Sequence, residues 1–324
     1  MTVNRKLPLP DNPEWSELVR EYPTASFEQL DIWAKQYGYS NRHHFVGGMK
    51  KQGIHRTITY GERIERVKKS NNNAPLVITT PKEFKTMAVI NDTQNPFQDE
   101  RALALVEKFL FELQPDYLFY NGDTNDFYQI SKFDKDPARI KDLQSDVDNT
   151  KAMFRRHRKG LPNTRTILID GNHEDRWQKF LWTKAPELSS LTCLTVDDLF
   201  SLEEYGIEHV AYESGVKING IFLITHGDFT SIHSSYTAKR MFEKHGGCGI
   251  CAHSHRGGSF FKRDRFGIWG WWEGFCLCSL YPDWIKNPNW VQGFSLIHFR
   301  GKRFWMEQIP IVDHAFIYGG RIYE

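Results

Sequence analysis

Apolar positions follow two rhythms along the chain, and the change from one to the other divides it. From residue 24 to 54 the spacing is helical: Phe27, Leu30, Trp33 and Ala34 share one face, Ser26 with Gln29 has capping-box spacing, and Gly38 stops the run. Ser40 is the expected cap of a second helix, residues 41–52, with Phe45, Val46 and Met49 inward and Arg42, His43, Lys50 and Lys51 outward. Gly47-Gly48 inside it costs about 1 kcal/mol per glycine relative to alanine. Residues 61–82 are charged, then polar, with Pro75 and Pro81, and read as a linker. After it the rhythm alternates. Strands are predicted at 86–90, 117–120 and 164–169, and helices at 99–113, at 137–158 and from about 175. Strand and helix in succession predict parallel pairing with helices outside. The second half changes again: Asn219-Gly220 marks a hairpin, 221–224 and 248–252 are short buried strands around a helix at 236–245, and 267–277 and 294–309 read as antiparallel.

The chain therefore divides into a helical unit at 1–72, a linker at 73–83 and an α/β unit at 84–324. Charge follows the same division, with 12 Lys/Arg against 8 Asp/Glu in residues 1–70 and 30 against 32 in the rest. A helix, a short turn and a basic second helix resemble a helix-turn-helix unit, which implies duplex DNA as a partner through Arg42, His43, Lys50 and Lys51; the alternative is a small helical adapter whose basic face is merely solvated. No run approaches the roughly 18 apolar residues of a membrane span, so no membrane partner is expected. The opening residues lack the apolar segment of a secretion signal and five cysteines suit no disulfide framework, so a reducing cytoplasmic setting is expected. The cysteines offer a competing metal site, Cys248-x-x-Cys251 with Cys276-x-Cys278, but Cys248 and Cys251 would sit on opposite faces of a strand and could not readily share an ion, so buried, reduced thiols are expected.

Chemistry enters where the apolar strands stop. The run 166–169 ends at Asp170-Gly171-Asn172-His173-Glu174, and other strands end at Asp92 and Gln94, at Asp123 and Asp126, at His226, and at His253 and His255. Ligands bind at the carboxyl ends of strands in open α/β sheets. Mixed oxygen and imidazole donors suit Mn, Zn, Fe or Ni, and their number exceeds what one ion needs.

Five motifs in order, Asp92-Thr93-Gln94, Gly122-Asp123-Thr124-Asn125-Asp126, Gly171-Asn172-His173-Glu174, Thr225-His226-Gly227 and Ala252-His253-Ser254-His255, resemble those of the calcineurin-like metallophosphoesterases. The resemblance extends to phage and prophage members through residues 121–137. It implies a four-layer αββα sandwich and two divalent ions, with Mn favoured and Zn, Fe, Ni or Mg as alternatives. By the same resemblance Asp92, Gln94, Asp123 and His255 would surround the first ion. Asp123, as a bridge, would hold the second with Asn172, His226 and His253. His173 would serve as general acid or electrostatic stabiliser, and Asp126 would orient it or approach the leaving group. Two ions bring +4 and two carboxylates subtract 2, which leaves charge for a phosphate diester. Gln94 stands where the family has histidine, so the first ion is expected to be held weakly. The expected function is phosphodiester hydrolysis on nucleic acid, DNA first, in a bacterial or phage-infected cell. The alternatives are a phosphomonoesterase or small-molecule phosphodiesterase, and a DNA-binding or assembly protein with a degenerate site. Ala252, in place of the family's glycine, changes only backbone room.

Overall fold

The computed structural model describes residues 7–8, 13–25, 27–52, 54, 74–132, 134, 142–282 and 285–324. Three helices come first: α1 (Pro13–Glu21), α2 (Phe27–Gln36) and α3 (Arg42–Lys51). They enclose a core of their own, centred on Phe45, whose ring meets Tyr22, Trp33, Tyr37 and Tyr39 at centroid distances of 5.5 to 6.1 Å. Leu30, Trp33, Ala34, Val46 and Met49 are buried with it, as their spacing required. Helix α1 carries one buried residue, Leu18, too faint a stripe to register in the sequence. The cap of α3 is Asn41, whose side chain accepts from His44 N at 2.9 Å, while Ser40 Oγ bonds to the His44 ring instead. The proposed cap at Ser26 lies outside the described residues.

The basic face of α3 is partly paired. Arg42 pairs with Asp31 at 2.9 Å and Lys50 with Glu204 at 3.3 Å, while Lys50 and Lys51 are both exposed. Burial lowers the pKa of His43, which faces Glu208, Glu203 and Asp197. An added Cβ at Gly48 would enter the Tyr39 ring, so that glycine lets Tyr39 pack closely on α3, whereas one at Gly47 would make an ordinary 3.7 Å contact with the Glu204 carbonyl of the α/β body.

The α/β body holds two six-stranded sheets. One runs β12-β11-β2-β3-β4-β5, with β2 (Phe84–Ile90), β3 (Tyr117–Asn121), β4 (Arg165–Ile169) and β5 (Ile207–Val210) parallel, and with β11 (Gly293–Arg300) and β12 (Arg303–Pro310) antiparallel at its edge. The other runs β1-β6-β7-β8-β10-β9, from β1 (Leu76–Ile78) through β6 (Val216–Ile218), β7 (Phe222–Ile224), β8 (Cys248–Cys251) and β10 (Gly267–Gly274) to β9 (Gly257–Asp264). Two-residue alternation sorts each strand into layers. Met87 and Val89 of β2 enter the core between the sheets with Phe119, Ile167, Phe222 and Ile250. Ala88 and Ile90 face the other way, against the helices Glu100–Leu113 and Leu143–Gly160. The Tyr236–His245 helix covers the far face of the second sheet over Cys251 and Trp271. Helix, sheet, sheet, helix is the four-layer order that was expected.

Two expectations change. Residues 76–78, read as linker, form β1, paired in parallel with β6, so the α/β body begins before residue 84. The helix expected from about 175 starts at Asn172 behind Gly171, which places Asn172 and His173 in its first turn. The Asn219-Gly220 turn is as read: both residues have positive φ, 51° and 73°, and join β6 to β7. No helix among the described residues is long and apolar enough to cross a membrane.

Candidate metal centre

The described structure brings all seven candidate ligands to one end of the sandwich. Asp92, Gln94, Asp123 and Asn172 follow β2, β3 and β4 of one sheet, whereas His226, His253 and His255 follow β7 and β8 of the other. Two clusters form, Asp92 with Asp123 and His255, and Asp123 with His226 and His253, each with its ligand atoms within 4.8 Å of one another. Asp123 belongs to both.

The donors are aimed by hydrogen bonds behind them. His226 donates Nδ1–H to the Asn121 carbonyl at 2.9 Å, which leaves Nε2 facing Asn172 Oδ1 at 3.1 Å and Asp123 Oδ2 at 3.3 Å. His255 Nε2 lies 3.2 Å from Asp92 Oδ1 and 3.2 Å from Gln94 Nε2. Asp92 Oδ1 is buried with no well-aligned hydrogen bond, its ion-pair neighbour being His255 Nε2. That under-satisfied oxygen and the convergence of imidazole nitrogens on shared carboxylates fit divalent ions. Electrostatics agree. Burial opposes charge on His226 and His255, yet Asp123 raises His226 to about 10 and Asp92 raises His255 to about 9. Burial opposes ionisation of Asp123 too, but His173, His226 and His253 hold it well below the usual carboxylate range. His253 is pushed down to about 4, by burial first and then by His226. Each cluster of carboxylate and imidazole thus draws positive charge even without an ion.

Backbone conformation supports the aim of the side chains. Asp92, Gln94, Asp123, His253 and His255 all have positive φ, between 47° and 67°. Non-glycine residues avoid that region, and a cluster of them is held only where the surroundings over-determine it. Two glycines supply the room: a Cβ on Gly122 would lie 2.2 Å from His226 Nδ1, and one on Gly171 2.1 Å from Asp123 Oδ1.

Beside the clusters stands His173, whose Nδ1 is 2.9 Å from the Asp126 carbonyl and whose Nε2 is 3.7 Å from Asp123 Oδ2. The expectation for Asp126 is refined here. Its backbone oxygen makes the contact, and its carboxylate, raised by burial, lies 3.5 Å away. Arg176 donates to the same carbonyl at 2.9 Å. Reading the sequence missed Arg176, although its spacing of four from Asn172 on one helix was a usable signal. It also missed the role of Glu174. That buried carboxylate accepts from the backbone N–H groups of Gly171, Asp123, Thr124 and Asn125 at 2.8 to 3.0 Å and fixes the loop that presents Asp123. Burial, with Asp123 and Asp170 nearby, pushes Glu174 up to about 8, and the N–H donors pull the other way. Cys248 and Cys251 lie in different layers and share no site.

Comparison with known proteins places these features. The chain is 25% identical over 256 residues to the Gene 54 protein of Mycobacterium phage D29, an alignment spanning 74% of this chain and 99% of that protein. The Gene 54 protein of Mycobacterium phage L5 is equally similar, 25% over 254 residues. Among solved structures, wild-type Vps29 complexed with Zn2+ from Entamoeba histolytica aligns with a TM-score of 0.38 at 12% identity, covering 73% of this chain and 95% of that one. The calcineurin-like phosphoesterase pattern matches residues 85–257, more than half of the chain and every candidate ligand, and the protein belongs to that family.

Proposed function

We propose that the protein is a two-metal phosphodiesterase acting on nucleic acid. Metal-dependent phosphoester hydrolysis goes with the family; the diester and nucleic-acid assignment is our reading. The observation that carries it is the sharing of Asp123 by two ligand clusters beside a histidine that no cluster uses. Asp92, Asp123, His255 and Gln94 would hold one ion, and Asp123, Asn172, His226 and His253 the other. When bound, such a pair activates water and neutralises phosphate charge. The chain's own residues do the rest. His173, anchored through Nδ1 to the Asp126 carbonyl, is free at Nε2 to carry a proton to the leaving oxygen. A nucleoside alkoxide is a poor leaving group and needs that proton, which is why a diester of nucleic acid suits the site. Arg176 braces the same carbonyl and keeps the ring in place. Oxygen donors from Asp92, Gln94, Asp123 and Asn172 favour Mn2+.

The test is hydrolysis by the Mn2+-loaded full chain of single-stranded DNA, duplex DNA, RNA, bis-p-nitrophenyl phosphate and p-nitrophenyl phosphate, side by side. Cleavage of a polynucleotide and of the model diester is the expected result. Turnover of the monoester alone, or of nothing with any divalent ion, overturns the proposal.

For the helical module the adapter reading is the one favoured. The Lys50–Glu204 pair and the burial of His43 near the charge of Glu208 support α3 as a brace on the α/β body. Lys51→Ala should then leave duplex-DNA affinity unchanged at low salt. A loss of about tenfold or more would restore α3 as a DNA-contacting helix.

A further inference from the structure

We propose that His255, Cys276 and Cys278 form a third metal site, for thiophilic divalent ions, which competes with the hydrolytic centre for His255. The three residues are buried, and one ligand atom from each lies within 4.8 Å of the others. Cys276 and Cys278 sit two apart in a segment bridged to Gln292 on one side and Gln98 on the other. In extended chain that spacing puts both thiols on one face. Cys278 Sγ is 3.7 Å from His255 Nδ1. A tetrahedral zinc ion, with Zn–S of about 2.3 Å and Zn–N of about 2.05 Å, sets sulfur and nitrogen about 3.6 Å apart. The pair therefore already stands at the distance of two ligands on one ion.

The two nitrogens of His255 face different clusters: Nδ1 looks to the thiols and Nε2 to Asp92, 3.2 Å away. A neutral imidazole has one lone pair for a metal, with the proton on its other nitrogen. When a divalent ion binds Nδ1 and both sulfurs, the two thiols release their protons to solvent, a charged His255 ring also releases its Nδ1 proton there, and the remaining ring proton resides on Nε2. The M2+ ion with two thiolates is neutral overall, so burial does not oppose it. His255 is then withdrawn from the first hydrolytic ion, which Gln94 already supports less well than an imidazole would. Zinc or cadmium in excess becomes an inhibitor through this site, whereas Mn2+, a poor partner for sulfur, does not enter it.

The inference has one arm that rests on the hydrolytic reading and one that does not. In the first, Cd2+ is titrated against Mn2+-supported hydrolysis by the full chain and by the variant Cys276→Ser, Cys278→Ser. The expected result is inhibition of the parent, with an inhibition constant raised at least about tenfold in the variant, the smallest effect expected for loss of direct ligands. In the second, Co2+ is added to reduced, metal-free protein whose thiols have been counted. A sulfur-to-cobalt charge-transfer band in the near ultraviolet is expected in the parent and not in the variant. Absence of that band from the parent overturns the site whether or not the variant folds. Inhibition unchanged by the substitutions, in protein that shows the band, overturns the competition.

Discussion

At the residue scale, the proposed mechanism separates groups that hold charge from groups that move protons. His173→Ala should keep its metal content and lose turnover by about 100-fold or more, as removal of a general acid does. Elemental analysis with steady-state kinetics checks both halves. Asp126→Asn should cost far less, because the contact to His173 runs through the backbone carbonyl, which asparagine retains. If the two variants lose activity equally, the carboxylate and not the carbonyl is what orients the ring. Gln94→His should tighten the weaker of two metal sites in calorimetric titration and move Mn2+ activation to lower concentration. Two equally tight sites in the parent would contradict the weakness assigned to Gln94. Most candidate ligands were legible in the sequence because each is a polar residue at the abrupt end of an apolar run. Glu174 was visible as a residue but not as a function. What it does depends on four backbone N–H groups, three of them about 50 positions away in sequence, and backbone donors leave no trace in residue type.

At the element scale, periodicity found the strands and helices that have long, one-sided apolar faces. It failed where few residues carry the pattern. Strand β1 has three residues and pairs with β6 some 140 positions away, so nothing local distinguishes it from linker. Helix α1 buries only Leu18 of its own nine residues. Between elements, Glu107 ties the two helices beneath the first sheet together. It accepts from Arg156 at 2.8 Å and His157 at 3.0 Å, and His157 continues to the Tyr120 hydroxyl at 2.6 Å. Burial works against the Glu107 charge, but His157 and Arg156 outweigh it and lower its pKa below the ordinary 4.5. A depressed carboxylate contributes stability above its unfolded pKa, and the contribution is lost as pH falls through the folded value. Glu107→Gln should therefore lower stability by about 1–3 kcal/mol at pH 7, with the gap narrowing as the pH drops below 4.5. Urea denaturation at both ends of that range measures it. A gap of constant size would mean that Glu107 acts by shape and not by charge.

At the scale of the whole molecule, the sequence conveyed the layer order because strands of the first sheet alternate with helices. It could not convey which surface of α3 is free, since that depends on Glu204 and Glu208, distant in sequence. Phe45→Ala should cost the helical module about 3–5 kcal/mol and leave the α/β body folded and hydrolytic, a result that thermal melting with parallel activity assays would reveal. The division of the ligands between sheets has a mechanical consequence. Asp92, Asp123 and Asn172 follow strands of one sheet and His226, His253 and His255 strands of the other, while the layer joining the sheets elsewhere is mainly apolar, with hydrogen bonds from Asn219 to the Gly301 carbonyl and from Gln308 to the Glu273 carbonyl across it. Bound ions are then rivets at one end of the sandwich, and chelation should let that end breathe. Amide exchange should quicken at the chain ends after β7 and β8 when metal is removed, while β11 and β12 at the sheet's far edge keep their protection. The centre would in that way report its own occupancy as a change in stiffness along the length of the fold.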